Sequence, residues 1–198
     1  HLRVASLSVR TLGGFTGAKI PAAAAMELHF DILGLQETRS NGKMRECGGF
    51  FRATASAEGG HGGCELWIRK GARVIDSGGI SVPLTAEALS VLHAEPRHLI
   101  VSLVAASFRI LISVAQAPSN SGSAATTVAD WWVRHAAIIA KCRGSCVNLL
   151  CLHDVNQHMP PAAGQCAGDL GWRATVGSDD AARAFDARGC TLPVTFAA

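Results

Sequence analysis

The sequence predicts a single α/β domain, and three observations carry this prediction. Short runs rich in Ile, Val and Leu, each of strand length, alternate along the chain with segments that show a helical pattern. The chain has 198 residues, 48% of them hydrophobic, which suits one sizeable core and leaves little room for a second. No internal repeat, low-complexity tract or linker divides the chain. We therefore treat residues 1–198 as one domain.

Seven segments are strand candidates, and several are apolar enough for burial on both faces of a sheet. Glycine-rich stretches separate these candidates at 13–17, 48–49 and 59–63. None of the stretches has the spacing of a phosphate-binding loop, so we interpret them as turns at the tips of a sheet. In chain order the strand candidates are 2–9, 31–35, 65–68, 73–75, 99–104, 108–115 and 147–152, with 65–68 and 73–75 the weaker two.

Three segments are predicted to be helical, at 18–30, 126–141 and 179–188. The middle one is the clearest because its apolar residues fall on one stripe at helical spacing. Its neighbouring Trp131 and Trp132 could form a base-stacking platform, but aromatic residues on such a stripe are more often core residues. The stripe consists of Val128, Trp131, Trp132, His135, Ile138 and Ile139.

Composition excludes several classes of protein. Charged residues make up 17% of the chain, too few for a disordered polypeptide, and no apolar run approaches the roughly 20 residues that cross a bilayer. No signal peptide opens the sequence, so we expect a soluble intracellular protein, with a nuclear location compatible with the function derived below. Nothing in the sequence indicates an oligomer. Residues 1–75 hold ten basic and six acidic residues, a bias that fits a polyanionic substrate or an ordinary solvated surface.

The seven cysteines do not predict a disulfide framework, because the number is odd and nothing marks secretion. Cys142, Cys146 and Cys151 lie near His153 and His158, which suggests a zinc site. Their spacing differs from that of zinc ribbons, however, and Cys151 sits inside an apolar run. We therefore interpret these cysteines as ordinary core and surface residues.

Three polar residues stand where predicted strands end. Glu37 follows the run that begins at Asp31, and Asp154 and Asn156 follow the run 147–152. Carboxylates at strand ends of an α/β domain are well placed to meet in one cleft, and Mg²⁺ is held by one or two carboxylates with water and substrate phosphate. Asp154 and Asn156 would share a face if the strand continues.

The order of short motifs resembles the endonuclease/exonuclease/phosphatase superfamily, and most closely the endonuclease domains of LINE-type retrotransposons and their apurinic-endonuclease-like relatives. The resemblance covers nearly the whole chain, and its most specific block is Gly34-Leu35-Gln36-Glu37-Thr38-Arg39. The other matching blocks are Ser6–Leu12, Gly62–Leu66, Ala115–Pro118 and His153–Asn156.

The resemblance implies an α/β sandwich of two facing sheets and a Mg²⁺- or Mn²⁺-dependent hydrolysis of phosphodiester bonds, with DNA as the expected partner. It assigns Glu37 to the metal and Asp154 to the attacking water. Asn156 would hold that aspartate and a phosphate oxygen, and Arg39 would bind substrate. Water would attack in line while the metal stabilises charge on the phosphate.

The sequence also departs from the family pattern. Ser8 stands in place of an active-site asparagine and lacks its amide. Gln116 stands in place of a His or Tyr that contacts phosphate, and it carries no charge. His153 replaces the glycine before the aspartate, where a larger side chain can crowd it. Family members also continue into strands that carry a second aspartate and an S-D-H motif, so we expect the second half of the fold to be incomplete.

Three functions stay open at this point. The first is a metal-dependent DNA endonuclease of retroelement or apurinic type. The second is a relative of the same fold that binds nucleic acid or protein without catalysis, which Ser8, Gln116 and the missing strands favour. The third is a superfamily phosphatase that acts on sugar or lipid phosphates, because a shared fold does not fix the substrate.

Overall fold

The computed structural model describes residues 2–9, 12, 29–40, 46–118, 125–144, 148–154, 165–167 and 173–175. Within these residues two mixed β-sheets pack face to face, and one long helix covers the outer face of the second sheet. The architecture confirms the predicted α/β class and the two-sheet sandwich.

The first sheet has five strands in the order β1-β2-β5-β4-β3. Strands β1 and β2 are parallel and every other neighbouring pair is antiparallel. The bounds are β1 Val4–Ser8, β2 Ile32–Gln36, β3 Glu46–Cys47, β4 Phe50–Ala55 and β5 Cys64–Arg69.

The second sheet has four strands in the order β11-β10-β9-β8, with β10 and β11 parallel and the other pairs antiparallel. The short pairs β6–β7 and β12–β13 form two further ribbons. The bounds are β6 Arg73–Ile75, β7 Ser81–Pro83, the 3₁₀ helix Ala86–Ala88, β8 Leu89–Glu95, β9 His98–Ala105, β10 Phe108–Gln116, α1 Ala125–Arg143, β11 Leu149–Asp154, β12 Gln165–Ala167 and β13 Arg173–Thr175.

All seven strand candidates are confirmed, and the middle helix is observed close to its predicted bounds. Trp132 is buried against the second sheet and Trp131 packs on it, so the core interpretation of this pair is confirmed. The glycine turn at 48–49 is also confirmed, because Gly48 and Gly49 join β3 to β4 with positive φ angles. The predicted turn at 13–17 and the predicted helix at 179–188 lie outside the described residues. So does the predicted helix at 18–30 as far as residue 28, and His29 near its end has φ 56° and is not helical.

The sequence did not predict strands β3, β4, β7, β8, β12 and β13. Strand β8 is largely exposed and irregular, so its residues show neither an apolar run nor a clean alternation. Strand β4 contains Arg52 between apolar residues, and this arginine is buried only because Glu65 pairs with it from β5. A pairing between strands cannot be read from one segment alone.

The core between the sheets is built by strict alternation along the strands. In the first sheet Ile32, Leu66 and Ile68 point inward, while Leu35 and Trp67 point to the outer face. In the second sheet the inward set is Leu99, Val101, Leu103, Ile112, Val114, Leu150 and Leu152. The opposite face of that sheet packs on α1 through Ile100, Leu111, Leu149 and Cys151.

The two sheets approach closely where β2 faces β11. A Cβ atom added to Gly34 would lie 2.5 Å from Leu152 Cβ, so only glycine fits there. Gln36 lies two residues further along β2, on the same face. Its side-chain amide nitrogen donates to the backbone carbonyl of Leu152 at 2.8 Å and to Ser6 Oγ at 3.0 Å. These contacts fix the relative position of the sheets at the carboxyl ends of their parallel strands.

Replacing Gly34 with alanine should therefore destabilise the domain by about 1–3 kcal/mol, because the added methyl group overlaps a side chain held in the core. Urea denaturation followed by circular dichroism measures the effect. Gly78→Ala is the matched control, since the only atom near its added Cβ is Asp76 Oδ1 at 3.4 Å. Equal stability of the two variants would contradict the close approach.

Candidate functional site

The carboxyl ends of the four parallel strands meet at one end of the sandwich. Glu37 directly follows β2, Gln116 ends β10, and Asp154 ends β11. Gln116 and Asp154 are register partners, and both continue the inward faces of their strands. Ser8 ends β1 and is the register partner of Gln36. The structure therefore brings four of the predicted site residues to the same end of the two sheets.

The backbone conformation of Glu37 directs its side chain toward the end of the sandwich where these residues meet. Its φ angle is 55°, a left-handed conformation that residues other than glycine rarely adopt. Strand alternation would send the side chain away from the face that Gln36 occupies. The left-handed backbone breaks this alternation, and the carboxylate reaches the second sheet. Such conformations cost about 1–3 kcal/mol and are concentrated at functional sites.

Gln116 joins the two sheets at the site. Its amide nitrogen donates to Glu37 Oε1 at 2.6 Å, although the two residues are 79 positions apart. The side chain is buried, and among the described residues its carbonyl oxygen Oε1 has no hydrogen-bond partner. A buried amide oxygen without a partner costs free energy, so this atom is suited to accept a ligand.

Asp154 and Ser8 end the two edge strands β11 and β1, which neighbour the strands that carry Gln116 and Glu37. The backbone carbonyl of Asp154 accepts from Ala117 N at 2.9 Å, which fixes the end of β11 beside β10, and its side chain is partly exposed. Ser8 is exposed at the end of β1. Asn156 lies outside the described residues, so its predicted place beside Asp154 stays a prediction.

Arg39 lies at the surface two residues beyond Glu37. Its φ angle is 49°, its side chain is exposed, and its backbone nitrogen donates to Gly62 O at 2.9 Å. Thr38 N donates to Gly63 O at 3.1 Å in the same way. The segment that carries Glu37 and Arg39 is thus bonded to the predicted glycine turn at 59–63.

The glycine pair Gly62–Gly63 allows three segments to pack together behind Glu37. A Cβ atom at Gly62 would lie 2.7 Å from Pro96 O, and one at Gly63 would lie 2.6 Å from Thr38 Oγ1. Both glycines have positive φ angles, and Gly63 N donates to Pro96 O. The Gly62–Gly63 backbone therefore lies between the loop after β2 and the turn between β8 and β9, and it is hydrogen-bonded to both.

A buried ion pair supports the same loop from the outer face of the first sheet. Arg52 donates to Glu65 Oε2 through two nitrogens, and their side chains are 4% and 0% exposed. Trp67 Nε1 donates to the same oxygen at 2.6 Å, while Ser40 Oγ donates to Glu65 Oε1 at 2.5 Å. Glu65 thus has every oxygen satisfied and ties Ser40 to the sheet. This network has no local signal in the sequence, because its partners are distant along the chain.

Behind Gln116, on the α1 side of the second sheet, lies a group of buried histidines. His153 Nε2 lies 3.0 Å from Ser113 Oγ and 3.2 Å from His135 Nε2. His153 therefore turns to the face opposite the inward face of Asp154, and the expected crowding of the aspartate is wrong. Strand alternation is the reason, since consecutive residues point to opposite faces.

Burial sets the pKa values of these groups. Desolvation lowers the pKa of His153 to about 3 and that of His98 to about 4, with neighbouring positive groups adding to the shift. The pKa of His135 is lowered well below its usual value, first by burial and then by His153. Burial also raises the pKa of the Cys64 thiol to about 12, so this cysteine is an inert core residue.

The structure agrees with the interpretation of Cys151 as a core residue, since it is fully buried on β11, on the face of the second sheet that packs on α1. Cys142 is half-buried on α1, and the pKa of its thiol is raised by burial. Cys146 and His158 lie outside the described residues. Among the described residues, a different group could hold a metal ion, namely His93, Glu95 and His98. The spacing H-x-E-x-x-H was its signal in the sequence.

Comparison with solved structures decides the fold. The chain is similar to the endonuclease domain of TRAS1, a telomere-specific non-LTR retrotransposon, with a TM-score of 0.55, 12% identity and coverage of 96% of this chain and 70% of that one. An AP endonuclease from Archaeoglobus fulgidus matches with a TM-score of 0.51, 15% identity and coverage of 93% and 67%. The human Nocturnin catalytic domain, with a bound sulfate anion, matches with a TM-score of 0.50 and 12% identity, and the match covers 79% of this chain and 65% of that one.

The chain has the endonuclease/exonuclease/phosphatase fold. The predicted fold is thereby confirmed, and the three similar structures are all members of this fold. The sequence matches no protein-family model, and no curated protein sequence matches it either. Within the described residues, no helix is both long and apolar enough to cross a membrane.

Neutralising Glu65 should destabilise the fold far more than neutralising an exposed glutamate. In Glu65→Gln the buried Arg52 loses its counter-charge, which should cost about 3–5 kcal/mol. Glu46→Gln is the control: it removes the exposed pair with Lys70 and should change stability by less than about 1 kcal/mol. Urea denaturation measures both, and similar losses in the two variants would contradict the role given to Glu65.

Stability should also fall as pH is lowered from about 7.5 to about 5. His153 and His135 are neutral in the fold but take up protons when unfolded, below the usual histidine pKa of about 6.5. The stability that they contribute is complete above a pH of about 6.5, the usual histidine pKa of the unfolded chain. It is lost progressively as pH falls towards the pKa of about 3 that His153 has in the folded protein.

The measurement is urea denaturation in the presence of a metal chelator, with an expected slope of roughly 1.4 kcal/mol per pH unit for each histidine. His153→Phe should reduce the slope, whereas His61→Gln, at an exposed site, should leave it unchanged. If the free energy of unfolding does not change over this pH range, the conclusion that His153 and His135 stay neutral in the folded protein is wrong.

Proposed function

We propose that this domain hydrolyses phosphodiester bonds with the help of a divalent metal ion, and that its substrate is DNA. The observation that carries the proposal is the contact between Glu37 and Gln116 at the end of a sandwich whose similar structures include two endonucleases. The resemblance of the sequence motifs to retroelement and apurinic-type endonucleases supports the same assignment.

The residues at this end fit a Mg²⁺ or Mn²⁺ ion. Hard cations of this type prefer carboxylate and carbonyl oxygens and keep several waters. Glu37 offers a half-buried carboxylate, and Gln116 offers a buried carbonyl oxygen that has no partner within the described residues. When bound, the ion would stabilise negative charge on the phosphate and on the leaving oxygen.

The remaining residues supply the other parts of the reaction. Asp154 lies beside Gln116 at the end of β11, where its carboxylate can orient a water molecule and accept its proton. Arg39 is exposed on the loop after Glu37 and can bind a phosphate of the DNA backbone. Asn156 would hold the aspartate in place. Glu37 and Gln116, fixed by contacts between the two sheets, keep the site preorganised.

A second candidate is a non-catalytic domain that binds nucleic acid. Gln116 uses one of its two amide N–H donors on Glu37, and it carries no charge to place beside a phosphate. Ser8 is too short to replace an asparagine amide. Under this alternative, Arg39 and the basic residues of the first half would bind DNA and no strand would be cut.

Nicking of supercoiled plasmid DNA tests the proposal. The protein should convert plasmid to the open-circular form with Mg²⁺ and not with a chelator. Glu37→Ala should reduce the rate by about 100-fold or more, because it removes preorganised charge from the site. Asp154→Asn should have a similar effect.

Glu87→Ala is the matched control, since it removes an exposed carboxylate from the 3₁₀ helix and should leave nicking unchanged. Duplex DNA binding, measured by fluorescence anisotropy, separates the two candidates. Binding that weakens in Arg39→Ala, with no Mg²⁺-dependent nicking by the unaltered protein, would reject the nuclease and support the binding domain.

A further inference from the structure

The hairpin formed by β8 and β9 presents three metal-ligating side chains outside the site described above. His93 and Glu95 lie on β8, and His98 begins β9 after the two-residue turn Pro96–Arg97. One ligand atom from each of the three residues lies within 4.8 Å of the others. They face α1, on the side of the second sheet opposite Gln116.

A β-bulge brings these residues to one face. Val91 pairs with Val101, but the next paired residue on β8 is His93, which pairs with Ile100. Leu92 is the extra residue. If β8 continued in regular register, Leu92 would pair with Ile100 and His93 with Leu99, so that both His93 and Glu95 would fall on the inward face of the second sheet. The bulge therefore moves His93 and Glu95 together to the face that carries His98, and bulges of this kind commonly re-aim side chains at a site.

The geometry is close to that of a three-ligand zinc site. His93 Nε2 lies 3.6 Å from Glu95 Oε1, and His98 Nδ1 lies 3.7 Å from Glu95 Oε2. Metal–ligand bonds of about 2.1 Å in a tetrahedral arrangement place neighbouring ligand atoms about 3.4 Å apart. Small side-chain rotations would bring the three atoms to a common ion.

Three ring nitrogens of this hairpin have no hydrogen-bond partner within the part of the chain that the structure describes. His98 is 2% exposed, and neither of its nitrogens is hydrogen-bonded there, while His93 Nε2 is buried and also unpartnered. Most buried polar atoms in folded proteins are satisfied, so three orphaned nitrogens in one hairpin require an explanation. A bound cation would satisfy two of them at once.

Arg134 of α1 holds the carboxylate of the group. Its guanidinium nitrogen donates to both oxygens of Glu95 at 2.8 Å, and its side chain is 62% exposed. Each oxygen keeps a further lone pair for a metal. Hydrogen bonds of this kind orient metal-ligating carboxylates, and their removal typically weakens metal affinity. The ring of Trp131 packs on His98 and restricts its orientation.

We propose that His93, Glu95 and His98 form a second metal site, which binds a zinc-class cation separately from Glu37. Two imidazole nitrogens and one carboxylate suit Zn²⁺ better than Mg²⁺, which prefers oxygen ligands. The bound ion clamps the β8–β9 turn, and Arg97 in this turn accepts a hydrogen bond from Gln116 N through its carbonyl at 3.1 Å. The two sites therefore lie back to back across the second sheet.

Zinc binding is measured by titration of Zn²⁺ against a chromophoric chelator, with Co²⁺ absorption as a probe of the ligand set. The protein and the Glu37→Ala variant should each bind one equivalent with equal affinity. His93→Gln and His98→Gln should weaken binding by at least about tenfold, whereas His61→Gln should not. Zn²⁺ should also raise the melting temperature of the unaltered protein and not that of His93→Gln.

His93 lies at the rim, so His93→Gln is expected to fold, and circular dichroism checks this. If His98→Gln does not fold, the Zn²⁺ affinity of His93→Gln alone decides whether the site exists. The proposal is overturned if the unaltered protein takes up no Zn²⁺, or if His93→Gln binds as tightly as the unaltered protein. Because Glu37→Ala keeps this site intact, loss of nicking in that variant tests only the nuclease function.

Discussion

The contact between β2 and β11 is the constraint on which the rest of the sandwich depends. Gly34 leaves room for Leu152, and the Gln36 amide donates to the Leu152 carbonyl from the same face of β2. The two parallel strand pairs therefore end at the same level. Because of this, Glu37 from one sheet can reach Gln116 from the other, and Asp154 stands beside them. A side chain at position 34 would separate the elements that form the site.

The loop after β2 is held from two directions. Its backbone is hydrogen-bonded to Gly62 and Gly63, which in turn pack on Pro96, while Glu65 binds Ser40 from the outer face of the first sheet. This support explains how Glu37 and Arg39 can both keep left-handed backbone conformations. The cost of such conformations is offset by hydrogen bonds that the surrounding strands make on both sides.

Much of the fold could be predicted from the sequence, because buried strands such as β2, β10 and β11 and the stripe of α1 carry strong local patterns. The positions of Glu37 and Asp154 after strands also indicated where a site would form. The contact between Gln116 and Glu37 could not be predicted, since it depends on how two sheets face each other. The hairpin with His93 and His98 was missed for a related reason: the bulge at Leu92 shifts the alternation of an exposed strand.

The central claim is that Glu37 and Gln116 hold a divalent cation at the end of the two sheets. Anomalous diffraction from crystals soaked in Mn²⁺ tests it most directly, because Mn²⁺ replaces Mg²⁺ at oxygen-rich sites and can be located without bias. We expect an anomalous peak beside the Glu37 carboxylate and the Gln116 carbonyl oxygen, and no such peak in Glu37→Ala crystals. A soaked crystal with Mn²⁺ elsewhere and no peak at Glu37 would contradict it.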